Sequence, residues 1–88
     1  MAEVALIVED EPGLLEIYSR VVADMGFEVL RACDGEQAIN LLDNYQPDVL
    51  LLDILLPRVN GLTVLDHITH SPHLQHTRIL IVSSNHHY

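Results

Sequence analysis

The sequence predicts a single α/β domain built on an open parallel β-sheet. Short, continuous apolar runs such as VALIV at residues 4–8 alternate with segments whose apolar residues recur at spacings of three and four. The first pattern is typical of strands buried on both faces of a parallel sheet, and the second is typical of amphipathic helices. The chain of 88 residues allows one small domain and shows no linker or internal repeat. We therefore assign residues 1–88 to one domain.

Four strands and three helices are predicted in the order βαβαβαβ. Right-handed crossovers place helices on both faces of such a sheet, and the strand order 2-1-3-4 makes strands 1 and 3 neighbours. The strands are predicted at residues 4–8, 27–32, 48–53 and 78–84.

The helices are predicted from residues that favour helix ends and from apolar spacing. The first follows Pro12 and stops at Gly26, the second follows the Asp34-Gly35 turn, and the third begins at Gly61. Their apolar faces are predicted to carry Leu14, Ile17, Tyr18, Val21, Val22 and Met25 in the first helix, Ala38, Ile39, Leu41, Leu42 and Tyr45 in the second, and the inward-facing Leu62, Leu65 and Ile68 in the third.

The charge balance narrows the classes of partner. Thirteen acidic residues face four arginines and no lysine, for a formal net charge of −9. Binding to nucleic acid or to an anionic membrane needs a basic surface, so this chain is expected to bind neither, and a cation or a basic partner is favoured. A single cysteine, Cys33, and the absence of a leader or an apolar run long enough for a membrane span predict a cytoplasmic protein.

Carboxylates follow the strands at the edge where ligands of parallel α/β sheets bind. Glu9 and Asp10 follow the first strand, Asp53 ends the third, and Ser83 lies at the end of the fourth. Crowded carboxylates repel one another, and Mg²⁺ relieves that repulsion because it prefers oxygen ligands. Asp53 would then be a nucleophile toward phosphorus, and Ser83 a hydroxyl donor to a phosphoryl oxygen.

Each of these residues also has a purely structural explanation. The acidic triplet of residues 9–11 suits the first turn of a helix, where the helix dipole favours negative charge. Asp53 and Ser83 are also ordinary strand-end residues. Their joint placement on strands 1, 3 and 4 favours the site.

The same segments carry a resemblance to a known family. ALIVEDE, RACDGEQAI, LLDILLPRVNGL and ILIVSS, in that order and spacing, resemble the receiver domain of two-component response regulators. The resemblance implies a flavodoxin-like fold and a signalling protein rather than an enzyme. It implies that Asp53 accepts a phosphoryl group from a histidine kinase or phosphotransfer protein, and that Ser83 is the switch hydroxyl. It also implies Mg²⁺ bound by Asp10, Asp53, the backbone carbonyl of Leu55 and, through water, Glu9.

The chain departs from the family pattern after strand 4. The resemblance places a fifth strand, two further helices and a lysine beyond that point, so we interpret the chain as a C-terminally truncated receiver. Neither Arg58 nor Arg78 is a convincing substitute for the lysine, because a planar guanidinium does not mimic an ammonium. Metal binding is therefore expected to survive better than phosphorylation.

Truncation would also leave strand 4 as an exposed, apolar edge and part of one sheet face uncovered. Such an edge invites pairing with another chain. The sequence thus predicts a homo-oligomer through strand 4 or the uncovered face. An interaction or oligomerisation module that no longer takes phosphate is the alternative function.

Two further possibilities are weaker. A Mg²⁺-dependent phosphohydrolase with Asp53 as nucleophile usually requires a general acid near the nucleophile, and residues 54–56 contain no acidic side chain. The four histidines at positions 67, 70, 73 and 76 have metal-like spacing, but Pro72 interrupts the helix, so we expect a solvated helix end.

Overall fold

The computed structural model describes residues 2–56 and 59–82. It contains one parallel four-stranded sheet with the order β2-β1-β3-β4, as predicted. The elements are β1 (Val4–Val8), α1 (Pro12–Asp24), β2 (Glu28–Ala32), α2 (Gly35–Asn44), β3 (Val49–Asp53), α3 (Gly61–Thr69), a 3₁₀ turn (Pro72–Leu74) and β4 (Arg78–Val82). None of the helices in these ranges is long and apolar enough to cross a membrane.

The main core lies between the sheet and the helices α2 and α3. Alternate residues of a strand point to opposite faces, and the face that meets these helices carries Leu6, Val8, Leu50 and Leu52. The two helices add side chains that are likewise buried: Ala38, Leu42, Val64 and Ile68. Burial of apolar surface on this scale is the main force that holds the strand ends in place.

The opposite face of the sheet is only partly covered, by α1. An open apolar groove of about 350 Å³ lies beside this helix. It is lined by residues of all four strands or their flanks and by α1, including Val22, Met25, Val49, Leu51 and Leu80.

Two predictions of inward-facing residues were wrong for the same reason. Leu62 is 62% exposed, because α3 turns Gly61, Val64 and Ile68 toward the core and leaves Leu62 in its first turn outside. In α1, Ile17 and Val21 are also exposed, as is Met25 directly after the helix, and the buried residues of α1 are Leu15 and Ser19. Apolar spacing identified each helix, but the sheet surface that it covers decides which part of the stripe is buried.

Polar caps define the starts of the helices. Glu11 precedes α1, and its carboxylate accepts from the backbone N–H of Gly13 (3.0 Å) and of Leu14 (2.8 Å). Helix capping therefore explains Glu11. Glu9 and Asp10 do not cap α1 and lie between the end of β1 and Glu11.

The first two helices end close to the predicted residues. α1 is followed by Gly26, whose φ of +100° favours glycine. Tyr45 lies just beyond α2, which ends at Asn44.

Candidate functional site

Glu9, Asp10 and Asp53 meet at the carboxyl ends of β1 and β3. Val8 is in register with Leu52, so the residues that follow these two positions emerge side by side. One carboxylate oxygen from each of the three residues lies within 4.8 Å of those from the other two. Glu9 is 0% exposed and Asp53 1% exposed, whereas Asp10 is exposed to solvent. The sequence prediction that these carboxylates share one place is confirmed.

Glu9 is held in a position that is unfavourable for a charged side chain. Its backbone N–H donates to the carbonyl of Ala32 (3.1 Å), and its Oε2 accepts from the N–H of Glu11 (3.1 Å). Its Oε1 is buried and accepts no hydrogen bond from any of the described residues. Burial, and then the negative charges of Asp53 and Asp10, raise the pKa of Glu9 to about 7.

Asp53 is oriented by the turn that follows its strand. Its Oδ1 accepts from the backbone N–H of Leu55 (2.9 Å), which fixes the rotation of the carboxylate. The backbone N–H of Ile54, which precedes Leu55, donates to the carbonyl of Val82 (3.0 Å) and connects this turn to β4. The side chain of Leu55 is exposed.

Gly61 brings α3 back against the end of β3. Its N–H donates to the carbonyl of Ile54 (3.1 Å), and a Cβ at this position would lie 2.5 Å from the Cα of Ile54. Gly35 has a comparable role at the start of α2, because a Cβ there would overlap the carbonyl oxygen of Val59. The sequence identified Gly61 as a tight helix entry but gave no signal for the contact between Gly35 and Val59.

The three carboxylates fit a divalent cation. The ligands that Mg²⁺ prefers are oxygens, and it commonly uses one or two carboxylates together with water. The exposed Asp10 gives the cluster access to solvent, and the buried Oε1 of Glu9 is an acceptor that the described residues leave unsatisfied. A cation would also relieve the mutual repulsion that raises the pKa of Glu9.

The predicted hydroxyl, the loop arginine and the histidines are not part of this carboxylate cluster as the structure describes it. Ser83, the predicted switch hydroxyl, lies outside the described residues, as does Arg58. Within those residues, the candidate metal ligands that come together include no histidine. His67 and His73 instead connect the α3 region to α2: Nε2 of His67 lies 2.7 Å from Oδ1 of Asp43, and Nε2 of His73 lies 2.7 Å from the carbonyl oxygen of Leu42.

Comparison with known proteins identifies the family. The family model for the response regulator receiver domain matches residues 5–88. The chain belongs to the response regulator receiver domain family. The receiver domain is 35% identical over 79 residues to the regulator of RpoS of Escherichia coli K12, and the match covers 90% of this chain and 23% of that protein. It is 30% identical over 84 residues to the polar-differentiation response regulator DivK of Brucella anthropi, covering 96% of this chain and 68% of DivK.

Solved structures confirm the fold of the receiver domain. The receiver domain of the sensor histidine kinase PA1611 from Pseudomonas aeruginosa PAO1 superposes with a TM-score of 0.90 at 24% identity, covering 97% of this chain and 70% of that one. That structure has a magnesium ion coordinated in its active-site cleft. The flavodoxin-like architecture predicted from the sequence is therefore confirmed, and this receiver domain spans about a quarter of the length of the regulator of RpoS.

Proposed function

We propose that Asp53 accepts a phosphoryl group from a histidine kinase or phosphotransfer protein in two-component signalling. The observation that carries this proposal is the meeting of three carboxylates within 4.8 Å at the strand ends, with one buried oxygen of Glu9 unsatisfied by the described residues. Membership of the receiver family supports it. The alternative of a module that has lost phosphorylation has no comparable observation in its favour.

Mg²⁺ is the proposed cofactor. Glu9, Asp10, Asp53 and the backbone carbonyl of Leu55 would hold it, with Glu9 acting through a water molecule. When bound, the ion neutralises charge that develops on a transferred phosphoryl group. The magnesium found in the active-site cleft of the PA1611 receiver domain, a protein of the same fold, is consistent with this choice.

The chain's own residues position the acceptor oxygen and give it access to a donor. A carboxylate oxygen of Asp53 forms a bond to phosphorus while the P–N bond of the donor phosphohistidine breaks, and the electron pair of that bond leaves with the imidazole nitrogen. The N–H of Leu55 keeps the carboxylate in one rotation during this transfer. The exposed position of Asp10 leaves the site open to the donor. Ser83 is proposed to donate to a phosphoryl oxygen.

We also propose where the receiver domain acts and what it binds. It acts in the cytoplasm, as a phosphoacceptor rather than as an enzyme. Its net charge of −9 favours a partner with a basic surface and disfavours nucleic acid. It self-associates through β4 or through the sheet face beside α1, because both expose apolar side chains.

Intact mass spectrometry tests the proposed function. The protein is incubated with Mg²⁺ and acetyl phosphate, next to the variants Asp53→Asn and Asp24→Asn. Asp24 is an exposed carboxylate at the end of α1 and serves as the matched control. We expect the wild type and Asp24→Asn to gain one phosphoryl group and Asp53→Asn to gain none. Equal gain in all three proteins, or no gain in any, contradicts the proposal.

A further inference from the structure

Gly35, the first residue of α2, packs against the backbone of Val59. A Cβ at position 35 would overlap the carbonyl oxygen of Val59 and would lie 2.9 Å from the carbonyl carbon and from the Cβ of that residue. Glycine weakens a helix relative to alanine. A positive φ does not explain its presence here, because Gly26 alone among the described glycines has one. The close approach of Val59 therefore explains the glycine at position 35.

Val59 belongs to a short backbone segment that also contacts the end of the acceptor strand β3. Two residues after Val59, the N–H of Gly61 donates to the carbonyl of Ile54 (3.1 Å). A Cβ at Gly61 would lie 2.5 Å from the Cα of Ile54 and 3.1 Å from the carbonyl oxygen of Asp53. The segment therefore contacts α2 at one end and the acceptor turn, residues 53–55, at the other.

The start of α2 lies at the same end of the sheet as the carboxylates. Val8 is in register with Ala32, and the carbonyl of Ala32 accepts from the backbone N–H of Glu9 (3.1 Å). Cys33 and the first turn of α2 follow Ala32 directly. The contact with Val59 therefore joins the segments that follow β2 and β3, on either side of β1.

α2 is fixed more firmly than the segment that it contacts. Ala38 and Leu42 are both 0% exposed, and Oδ1 of Asp43, near the end of the helix, lies 2.7 Å from Nε2 of a histidine in α3. Val59 is only partly buried. Because the displacement of fully buried side chains disturbs a close-packed core, an atom added at the start of α2 should displace Val59 rather than the helix.

The turn before Gly35 is held by hydrogen bonds from two side chains. Oδ1 of Asp34 accepts from the backbone N–H of Gln37 (2.8 Å), and Oε1 of Gln37 accepts from the backbone N–H of Cys33 (2.9 Å). The thiol of Cys33 donates to the same oxygen (3.2 Å). These bonds cross the turn in both directions, as in a capping box. They thereby fix the position of Gly35 at the start of the helix.

We propose that Gly35 and Gln37 are positioning residues for the acceptor turn. Gly35 allows the backbone at Val59 to lie close to α2, and Gln37 keeps Gly35 in place, so that the turn beyond Val59 is held in one position. The turn carries Asp53 and the backbone carbonyl of Leu55, which is a proposed ligand of Mg²⁺. The consequence for metal binding and phosphoryl transfer therefore rests on the proposed function.

Hydrogen exchange of backbone amides, followed by NMR in the metal-free protein, tests whether Gly35 holds the turn. The amides of Gly61 and Leu55 report on the turn, because both are hydrogen-bonded to it. The amide of Arg78, which bonds to the residue before β3 at the opposite end of the sheet, reports on global unfolding. We expect Gly35→Ala to raise exchange at Gly61 and Leu55 at least about tenfold relative to Arg78.

Gly13→Ala is the matched control, because Gly13 also lies in the first turn of a helix. A Cβ there meets only the end of the Glu11 side chain, so exchange at Gly61 and Leu55 relative to Arg78 should stay at the wild-type value. Equal increases at all three amides in Gly35→Ala would indicate a global loss of stability and would overturn the proposal. The same relative increase in Gly13→Ala would overturn it as well.

Two variants of Gln37 keep the test decisive if Gly35→Ala does not fold. Gln37→Ala removes the acceptor for the N–H of Cys33, whereas Gln37→Glu retains an oxygen at that position. We expect Gln37→Ala to raise exchange at Gly61 relative to Arg78 by about fivefold, the effect of a lost helix cap, and Gln37→Glu to remain near the wild type. No increase in Gln37→Ala, or an equal increase in both variants, would overturn the role of Gln37 and, with an unfolded Gly35→Ala, the whole proposal.

Metal affinity and phosphorylation test the functional consequence. Gly35→Ala should bind Mg²⁺ about tenfold more weakly than the wild type in calorimetry, as for other residues that orient metal ligands. It should take up phosphate from acetyl phosphate about 100-fold more slowly, whereas Gly13→Ala should match the wild type. Unchanged affinity and rate in a folded Gly35→Ala would overturn the positioning role. If the wild type takes no phosphate, the proposed function fails, and hydrogen exchange still decides whether Gly35 and Gln37 hold the turn.

Discussion

Glu9 and Asp53 bring carboxylate oxygens within 4.8 Å of each other although neither side chain is more than 1% exposed. Two buried like charges at this separation repel strongly, because little solvent lies between them to screen the repulsion. The fold stabilises this arrangement through the core beneath the strand ends. A proton on Glu9, or a cation shared by both groups, relieves the repulsion, so protons and Mg²⁺ should compete for the site.

The stability of the metal-free protein should depend on the titration of Glu9. Its pKa rises from an ordinary value of 4.5 to about 7 in the folded protein, so the folded state binds this proton more tightly than the unfolded state. The contribution of Glu9 to the free energy of unfolding is therefore fully present below pH 4.5 and is lost as the pH rises through 7. Urea unfolding in the presence of a chelator, at intervals across this range, measures the change.

The variant Glu9→Gln isolates this contribution from those of other carboxylates. Glutamine does not ionise, so the difference in unfolding free energy between the variant and the wild type should shift in favour of the variant as the pH rises toward 7. A difference that stays constant with pH would show that Glu9 has an ordinary pKa in the folded protein.

Magnesium affinity should rise with pH for the same reason. With a pKa of about 7, Glu9 is mostly protonated at pH 6 and mostly ionised at pH 8, and a metal site binds its ion through deprotonated ligands. We expect calorimetric titration to give about tenfold tighter binding at pH 8 than at pH 6. Asp24→Asn should keep this dependence and Glu9→Gln should lose it; retention in Glu9→Gln would assign the pH effect to another group.

The sequence predicted the order of the elements and the location of the acidic site, because both depend on local patterns. Apolar runs located the strands, and strand topology alone brought Asp53 beside the residues that follow β1. The sequence did not predict which apolar residues of a helix face the core. Leu62 and Met25 were assigned to apolar helix faces, and both are exposed. Burial of a helix residue depends on how far the sheet extends beneath the helix, and the spacing of apolar residues in the sequence contains no information about that.

The different environments of the acidic residues at the site could not be predicted from the sequence either. The triplet of residues 9–11 contains three similar acids, yet Glu11 caps α1, Glu9 is buried with a raised pKa, and Asp10 is exposed. Their different roles arise from the direction in which the chain leaves β1. Gly35 gave no signal either, because its partner Val59 lies far along the chain and the close approach exists only after folding.

Gly61→Ala should destabilise the protein and displace the acceptor turn. The added Cβ would lie 2.5 Å from the Cα of Ile54 and 3.1 Å from the carbonyl oxygen of Asp53. Because both atoms belong to the backbone, we expect a loss of about 2–3 kcal/mol in unfolding free energy, as for overpacking elsewhere, together with reduced phosphorylation.

Gly13→Ala is the matched control for this substitution. A Cβ at Gly13 meets the capping carboxylate of Glu11, at 3.1 Å from Oε2, and this end of a flexible side chain needs to shift by only a few tenths of an ångström. Alanine also favours a helix over glycine by roughly 0.5–1 kcal/mol. Urea unfolding should therefore place Gly13→Ala near or above the wild type; equal losses in both variants would mean that the contact at Gly61 is not specific.

Asn60 should stabilise α3 as its cap. Its Oδ1 accepts from the backbone N–H of Thr63 (3.0 Å), and replacing such a cap by alanine costs about 1 kcal/mol. For a domain of this size that loss lowers the unfolding midpoint by about 4–8 °C. Asn60→Asp retains the acceptor and should stay close to the wild type in a calorimetric scan, and an equally stable Asn60→Ala would contradict the capping role.

The central claim is that Asp53 is the phosphoacceptor, and locating the acyl phosphate within the chain tests it most directly. Protein treated with Mg²⁺ and acetyl phosphate is reduced with borohydride, which converts an aspartyl phosphate to homoserine, and its peptides are then mapped by mass. The account predicts homoserine at position 53 and at no other aspartate. Homoserine at position 10, or a protein that gains phosphate without any homoserine at position 53, would contradict it.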